Sequence, residues 1–263
     1  MSYALQVDRP RLFAQPALRR WLAWGATACF VALLSACATA PAPTAQNSTQ
    51  AAWSVLDLSQ WQALHLPGKT ATDYQLDSQA PADPQGARLA LRARAEDAAS
   101  MVRTPVHIAA EDLGRIHFSW NVPALLDGAD MATRHGDDSP VRLVLAFEGD
   151  RSQFSAKDSA LNELTRLVTG EEMPYATLMY VWCNTRPTGT VIHNARTDRI
   201  RKIVVESGPQ GLKQWRHYLR DIRADYRAAF GQEPGALVGI GIMTDSDNTH
   251  SQASAWYGKI SLH

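Results

Sequence analysis

Cysteine is scarce in this sequence: 263 residues hold three, Cys29, Cys37 and Cys183, too few for a disulfide frame. An excess of charge of one sign is missing too. Twenty-six Lys and Arg balance 26 Asp and Glu, which removes the electrostatic footprint of a nucleic-acid binder. Eight histidines show no i,i+4 or other short metal spacing, so zinc is not supported. No Gly-x-Ser-x-Gly elbow, no glycine-rich strand-to-helix turn and no fixed-period repeat occurs. Those absences argue against an α/β-hydrolase, a dinucleotide-binding fold and a solenoid. Ser, His and Asp are all present, but no local context marks a nucleophile.

What is present begins with Arg19 and Arg20 and the uncharged run from Trp21 to Ala36. The run falls short of the roughly 20 residues that span a bilayer and has the layout of a secretion signal. It ends in Leu34-Ser35-Ala36-Cys37, which resembles the lipobox of bacterial lipoproteins. That resemblance implies cleavage before Cys37 and a lipid on its thiol. The competing reading is an ordinary signal cut near Ala38 or Ala40. Residues 37–52, rich in Ala, Pro, Thr and Ser, read as a flexible tether, and 53–263 as one domain. By resemblance to enterobacterial lipoproteins, in which an inner-membrane retention signal usually places Asp after the cysteine, Ala38 implies the outer membrane, facing the periplasm. Cys183 is then left without a partner in an oxidising compartment; within the apolar run from Leu178 it reads as a buried small hydrophobe.

Period-two alternation at 88–94, 116–122 and 141–147 predicts strands with one face in a core. Denser apolar runs at 176–183, 200–205 and 236–243 predict strands covered on both faces, and 255–262 predicts a last strand. Helical spacing of Trp215, Tyr218, Leu219, Ile222, Tyr226 and Phe230 predicts a helix over 214–230, stopped by Gly231. A second helix is expected over 156–168, with Leu161, Leu164 and Val168 on one side. Many strands without regular βα alternation point to a mainly β fold, an antiparallel jelly-roll-like sandwich with one or two inserted helices.

Several segments also carry a family resemblance: Asp137-Asp138-Ser139-Pro140-Val141-Arg142, Tyr180-Val181-Trp182, Val205-Glu206-Ser207-Gly208, Arg220 to Gly231, and Gly241 to Thr249 before Ala255-Trp256-Tyr257-Gly258. Together they resemble an uncharacterised family of exported bacterial proteins, domain of unknown function 3047, from about Trp53 to the C-terminus. The resemblance implies neither an activity nor catalytic residues. A looser similarity of the last two strands to carbohydrate-binding jelly rolls is an analogy of fold.

The candidate site residues are polar loop groups and aromatics. Asp245, Asp247 and Asn248 place two carboxylates and an amide within four positions after an apolar strand, a donor set that suits calcium, although Asx-turns use the same residues. Asp137 and Asp138 precede a strand after a polar loop. They read as solvated turn residues, as part of a loop that lines a ligand-binding face with Asp245, Asp247 and Asn248, or, with Asp138 facing Asp245 or Asp247, as an acid–base pair for glycoside cleavage. Trp182, Trp256 and Tyr257 can stack on sugar rings; Trp120 reads as core. The leading expectation is a lipid-anchored envelope protein that binds a saccharide or other envelope ligand. A polysaccharide hydrolase and a non-catalytic assembly protein are the alternatives.

Overall fold

The computed structural model describes residues 57–86 and 89–263; the expected secretion signal (1–36) and tether (37–52) lie outside them. Their alternating segments become thirteen strands and two α-helices: β1 (Gln62–His65), β2 (Asp73–Asp77), β3 (Ala90–Glu96), β4 (Ala99–Ile108), β5 (Arg115–Asn121), β6 (Ser139–Phe147), α1 (Ala156–Thr169), β7 (Ala176–Cys183), β8 (Val191–His193), β9 (Ile200–Ser207), β10 (Trp215–Asp221), α2 (Ile222–Phe230), β11 (Leu237–Asp245), β12 (Gln252–Tyr257) and β13 (Ser261–Leu262). They form a sandwich. One sheet runs β1-β4-β11-β6-β7-β9-β8 and the other β10-β5-β12-β3-β2, with β13 beside β5. Pairing is antiparallel except between β7 and β9, which run parallel with the short β8 at the outer edge.

The main core lies between the sheets. Phe118 and Trp120 on β5 meet Leu143, Leu145 and Phe147 on β6, Leu178, Tyr180 and Trp182 on β7, and Ile240 and Ile242 on β11. The opposite face of the larger sheet holds a second cluster, Val144, Met179, Val181, Cys183 and Met243, roofed by Met131 from the 126–136 loop. That second layer is why β7 is buried at every position and why Cys183 is buried as a free thiol.

Two expectations change. The helix foreseen over 214–230 is a strand, β10, followed by the shorter α2. In β10, seven residues pair with β5, and alternation turns Tyr218 inward onto Phe118 and Trp120, with ring centroids 5.1 and 5.2 Å away. The helix begins where the Asp221 side chain accepts a bond from Ala224 N–H and ends at Gly231 in the left-handed region, φ 71°. Helical spacing was real across the whole run, but edge pairing with β5 outweighed it in the first half. The last strand is also interrupted. A Cβ on Gly258 would overlap Ser119 Oγ and crowd the Trp215 ring, so only glycine lets the chain cross there between β12 and β13.

Helix α1 lies where expected, but its apolar side is turned outward. The residues it buries are Asp158 and Asn162, while Leu164, Leu167 and Val168 are exposed.

Candidate functional site

Antiparallel pairing of β11 with β6 sets Asp245 opposite Ser139, so the end of one strand meets the start of the other. This register brings residues more than a hundred positions apart into one cluster. Carboxylate oxygens of Asp138, Asp245 and Asp247 all lie within 4.8 Å of one another. All three residues are buried, as is Asp137. The solvated loop that was one reading of Asp137 and Asp138 is therefore corrected: the chain folds back so that both side chains point into protein.

Each carboxylate already has donors. Asp245 receives Arg142 Nε at 2.9 Å and Nη2 at 2.8 Å, and Ser139 N–H at 3.0 Å. Asp138 accepts four bonds, from Asn248 N–H at 3.2 Å and Nδ2 at 2.8 Å, and from Thr249 N–H and Oγ1, both at 2.7 Å. Asp137 accepts from Lys202 Nζ at 2.5 Å, Arg142 Nη2 at 3.2 Å and Asn194 Nδ2 at 3.1 Å. Asp247 forms an ion pair with Lys69. Four anions thus face three cations, and Arg142 occupies the centre.

The electrostatics follow from that enclosure. Burial, helped by the neighbouring Asp138 and Asp137 charges, pushes Asp245 up to about 6 against the pull of Arg142. Burial alone would also discharge Arg142, but Asp245 and Asp137 outweigh it and hold the guanidinium charged. Burial likewise opposes ionisation of Asp137, yet Arg142 and Lys202 keep its carboxyl below the usual range. Lys202, desolvated and beside Arg142, falls to about 8 despite Asp137.

Calcium does not fit this arrangement. A hard cation needs six to eight oxygens free to turn toward it. Here the Asp245 and Asp138 oxygens accept N–H and O–H donors, Asn248 contributes its amide nitrogen rather than its oxygen, and a guanidinium stands beside the carboxylates. The acid–base pair meets a related obstacle, because Asp138, with four donors, and Asp245, held by Arg142 and Ser139, are buried and engaged within the protein. The cluster ties strand ends together.

The aromatic candidates separate. Trp182 is 0 % exposed and Tyr257 1 % exposed. Both belong to the core between the sheets, so neither offers a ring face to a ligand. Trp182 Nε1 donates to Gly208 O at 3.0 Å, and Tyr257 Oη donates to Met243 O at 2.6 Å, stitching β12 to the larger sheet. Trp256 points the other way and is half-buried. On the outer face of the smaller sheet its registered neighbours are Arg92 on β3 and Asn121 on β5. The row continues to Gln75 on β2 and Trp215 on β10. Trp256 Nε1 donates to Asp77 Oδ2 at 2.9 Å, and Arg92 Nη2 to Gln75 Oε1 at 3.1 Å.

The loop after β2 lies against this face. It starts at one edge of the sheet and reaches the other, where Pro81 O accepts Trp215 Nε1 at 2.7 Å and Asp83 Oδ1 lies 3.0 Å from His217 Nε2. Sequence reasoning missed Arg92, Gln75, Asn121 and Trp215, because nothing local marks a row that crosses five strands. It also missed Arg142 and Lys202. For Arg142 the signal was legible: a single cation inside an otherwise apolar strand requires a buried anion, whereas Lys202 stands beside Arg201 and carries no such mark.

A family profile described as "Protein of unknown function (DUF3047)" matches residues 59–261. No curated protein sequence matches. Among solved structures, the chain is similar to the family 11 carbohydrate-binding module of the cellulosomal cellulase Lic26A-Cel5E of Clostridium thermocellum, at 9% identity, with 80% of this chain and 93% of that one covered and a TM-score of 0.38. It is also similar to the xyloglucanase domain of NopAA, a type three effector from Sinorhizobium fredii, at 8% identity over 77% of this chain and 97% of that one, with a TM-score of 0.37.

Proposed function

The chain belongs to the DUF3047 family of proteins of unknown function, and we propose that it is a lipid-anchored envelope protein whose β-sandwich binds a saccharide. The anchor is Cys37 and the membrane the outer one, with the domain facing the periplasm. The observation that carries the binding reading is Trp256, a half-buried indole on a sheet face, flanked in register by the Arg92 guanidinium and, one strand further, the exposed Gln75 amide. A flat aromatic face complements the apolar face of a pyranose, and planar polar groups beside it pair with sugar hydroxyls. Trp182, Tyr257 and the carboxylate cluster have no part in it, since they are enclosed. Binding without catalysis is the reading that this division supports.

The test is a glycan array probed with the purified protein and with Trp256→Ala. Retention of a glycan by the wild type and its loss in the variant support the proposal. A wild type that retains nothing, or a variant that binds equally well, defeats it. The anchor is tested separately: a Cys37→Ser protein that still fractionates with membranes would remove the lipid.

A further inference from the structure

Helix α1 is amphipathic with its faces reversed. It holds onto the domain through polar groups: Asp158 accepts Thr197 Oγ1 at 2.5 Å and lies 3.8 Å from Arg199 Nε, and Asn162 Oδ1 accepts Met173 N–H at 2.8 Å. Outward stand Leu164, Leu167 and Val168, exposed by 56, 77 and 54 %. At i, i+3 and i+4 they form one continuous ridge. The other exposed large hydrophobics among the described residues, Leu76, Leu89 and Leu219, belong to other segments. An apolar stripe on a helix is stable only against something other than water.

We propose that this ridge lies on the surface of the bilayer to which the chain is anchored; the inference rests on the Cys37 anchor proposed above. Its first support is where the chain enters the domain. Strand β1 opens at Gln62, directly beside Arg103 of β4. Arg103 in turn donates to both carboxylate oxygens of Glu171, at 2.6 and 2.7 Å, two residues beyond the end of α1. The entering chain and the ridge therefore share one end of the domain. Asp57 follows Cys37 by 20 residues, at most about 70 Å of extended chain, so the anchor keeps this end, and the ridge with it, within reach of its membrane.

The helix itself suits an interfacial position. Its 14 residues measure about 21 Å, too short to span a hydrocarbon core but sufficient to lie in the interfacial plane. No charge interrupts the ridge. The nearby Glu163 is neutralised by Arg166 at 2.8 Å, and Lys157 and Arg166 have stems long enough to reach headgroups. A second copy of the chain is a poorer occupant, because three side chains present far less than the roughly 800 Å² per partner that a stable dimer needs.

The experiment uses the full chain, expressed with its own N-terminus and reconstituted into phosphatidylethanolamine–phosphatidylglycerol vesicles with brominated acyl chains. An environment-sensitive nitrobenzoxadiazole label is placed on Leu167→Cys and, as control, on Leu219→Cys of β10; Cys183 is buried and does not compete. The intact mass of each preparation reads whether Cys37 carries lipid. The expected result is a blue-shifted label at 167 that is quenched by the brominated chains, a label at 219 that is not, and loss of the difference when Leu164→Ser and Val168→Ser are added. A lipidated protein whose two labels are quenched alike overturns the proposal. So does a blue shift that appears without vesicles and grows with protein concentration, which would assign the ridge to a second copy. A mass without lipid on Cys37 ends the anchor reading, and with it the reason for choosing a bilayer.

Discussion

Arg142 and Asp245 meet across adjacent strands through two near-parallel N–H···O bonds, 2.9 and 2.8 Å long, at a point that solvent does not reach. Asp137 leans on the same guanidinium from the preceding loop, so one cation holds the start of β6 and the end of β11 in place.

Breaking that pair from one side strands the other charge. Asp245→Asn or Arg142→Met should each cost about 3–5 kcal/mol, whereas the double variant should lose clearly less than the sum. Urea unfolding of the three variants measures this. Additive losses would show that the pair acts as two independent contacts.

Lys202 makes stability depend on alkaline pH. Its folded-state value of about 8 lies below the 10.5 of an unburied lysine. Between those values the unfolded chain binds more protons than the folded one, so this group's contribution rises as pH rises through the window and is constant below it. In Lys202→Met that rise should vanish. Melting curves from pH 7.5 to about 10.5 show it as the difference between the two proteins, and parallel curves would contradict the assignment.

Calcium should leave the fold unmoved. With donors on the carboxylate oxygens of Asp138, Asp245 and Asp247, millimolar calcium or a chelator is expected to change no melting temperature. A rise that disappears in Asp247→Asn would mean that the cluster rearranges around an ion.

The boundary between β10 and α2 rests on a cap. Asp221→Ala removes the acceptor of the Ala224 N–H and should destabilise by about 1 kcal/mol. Trp182→Ala, by contrast, empties a large part of the core and should cost about 3–5 kcal/mol. Neither residue belongs to the Trp256 row, Asp221 lying at the far end of β10 and Trp182 in the core, so folded variants should bind a glycan ligand as the wild type does, which titration calorimetry can check.

Local pattern determined the elements whose environment repeats along the chain. Alternation at 141–147 and the apolar run at 176–183 became β6 and β7 because a strand's two faces are written in consecutive residues. Family membership was legible for the same reason, as ordered segments in one chain. The expected saccharide candidates were only partly separable: Trp256 and Tyr257 had to point opposite ways, but which one met solvent depended on which face of β12 was covered. Helical spacing at 214–230 was overruled by a partner strand a hundred residues earlier. The outward face of α1 shows the same limit, since amphipathicity says that one side is apolar and not which side the protein covers. Above all, the sequence placed Asp138 and Asp245 in separate loops, and only register brought them together. Pairing between distant strands is a property of the closed sandwich, and burial, ionisation and ligand access are all set by it.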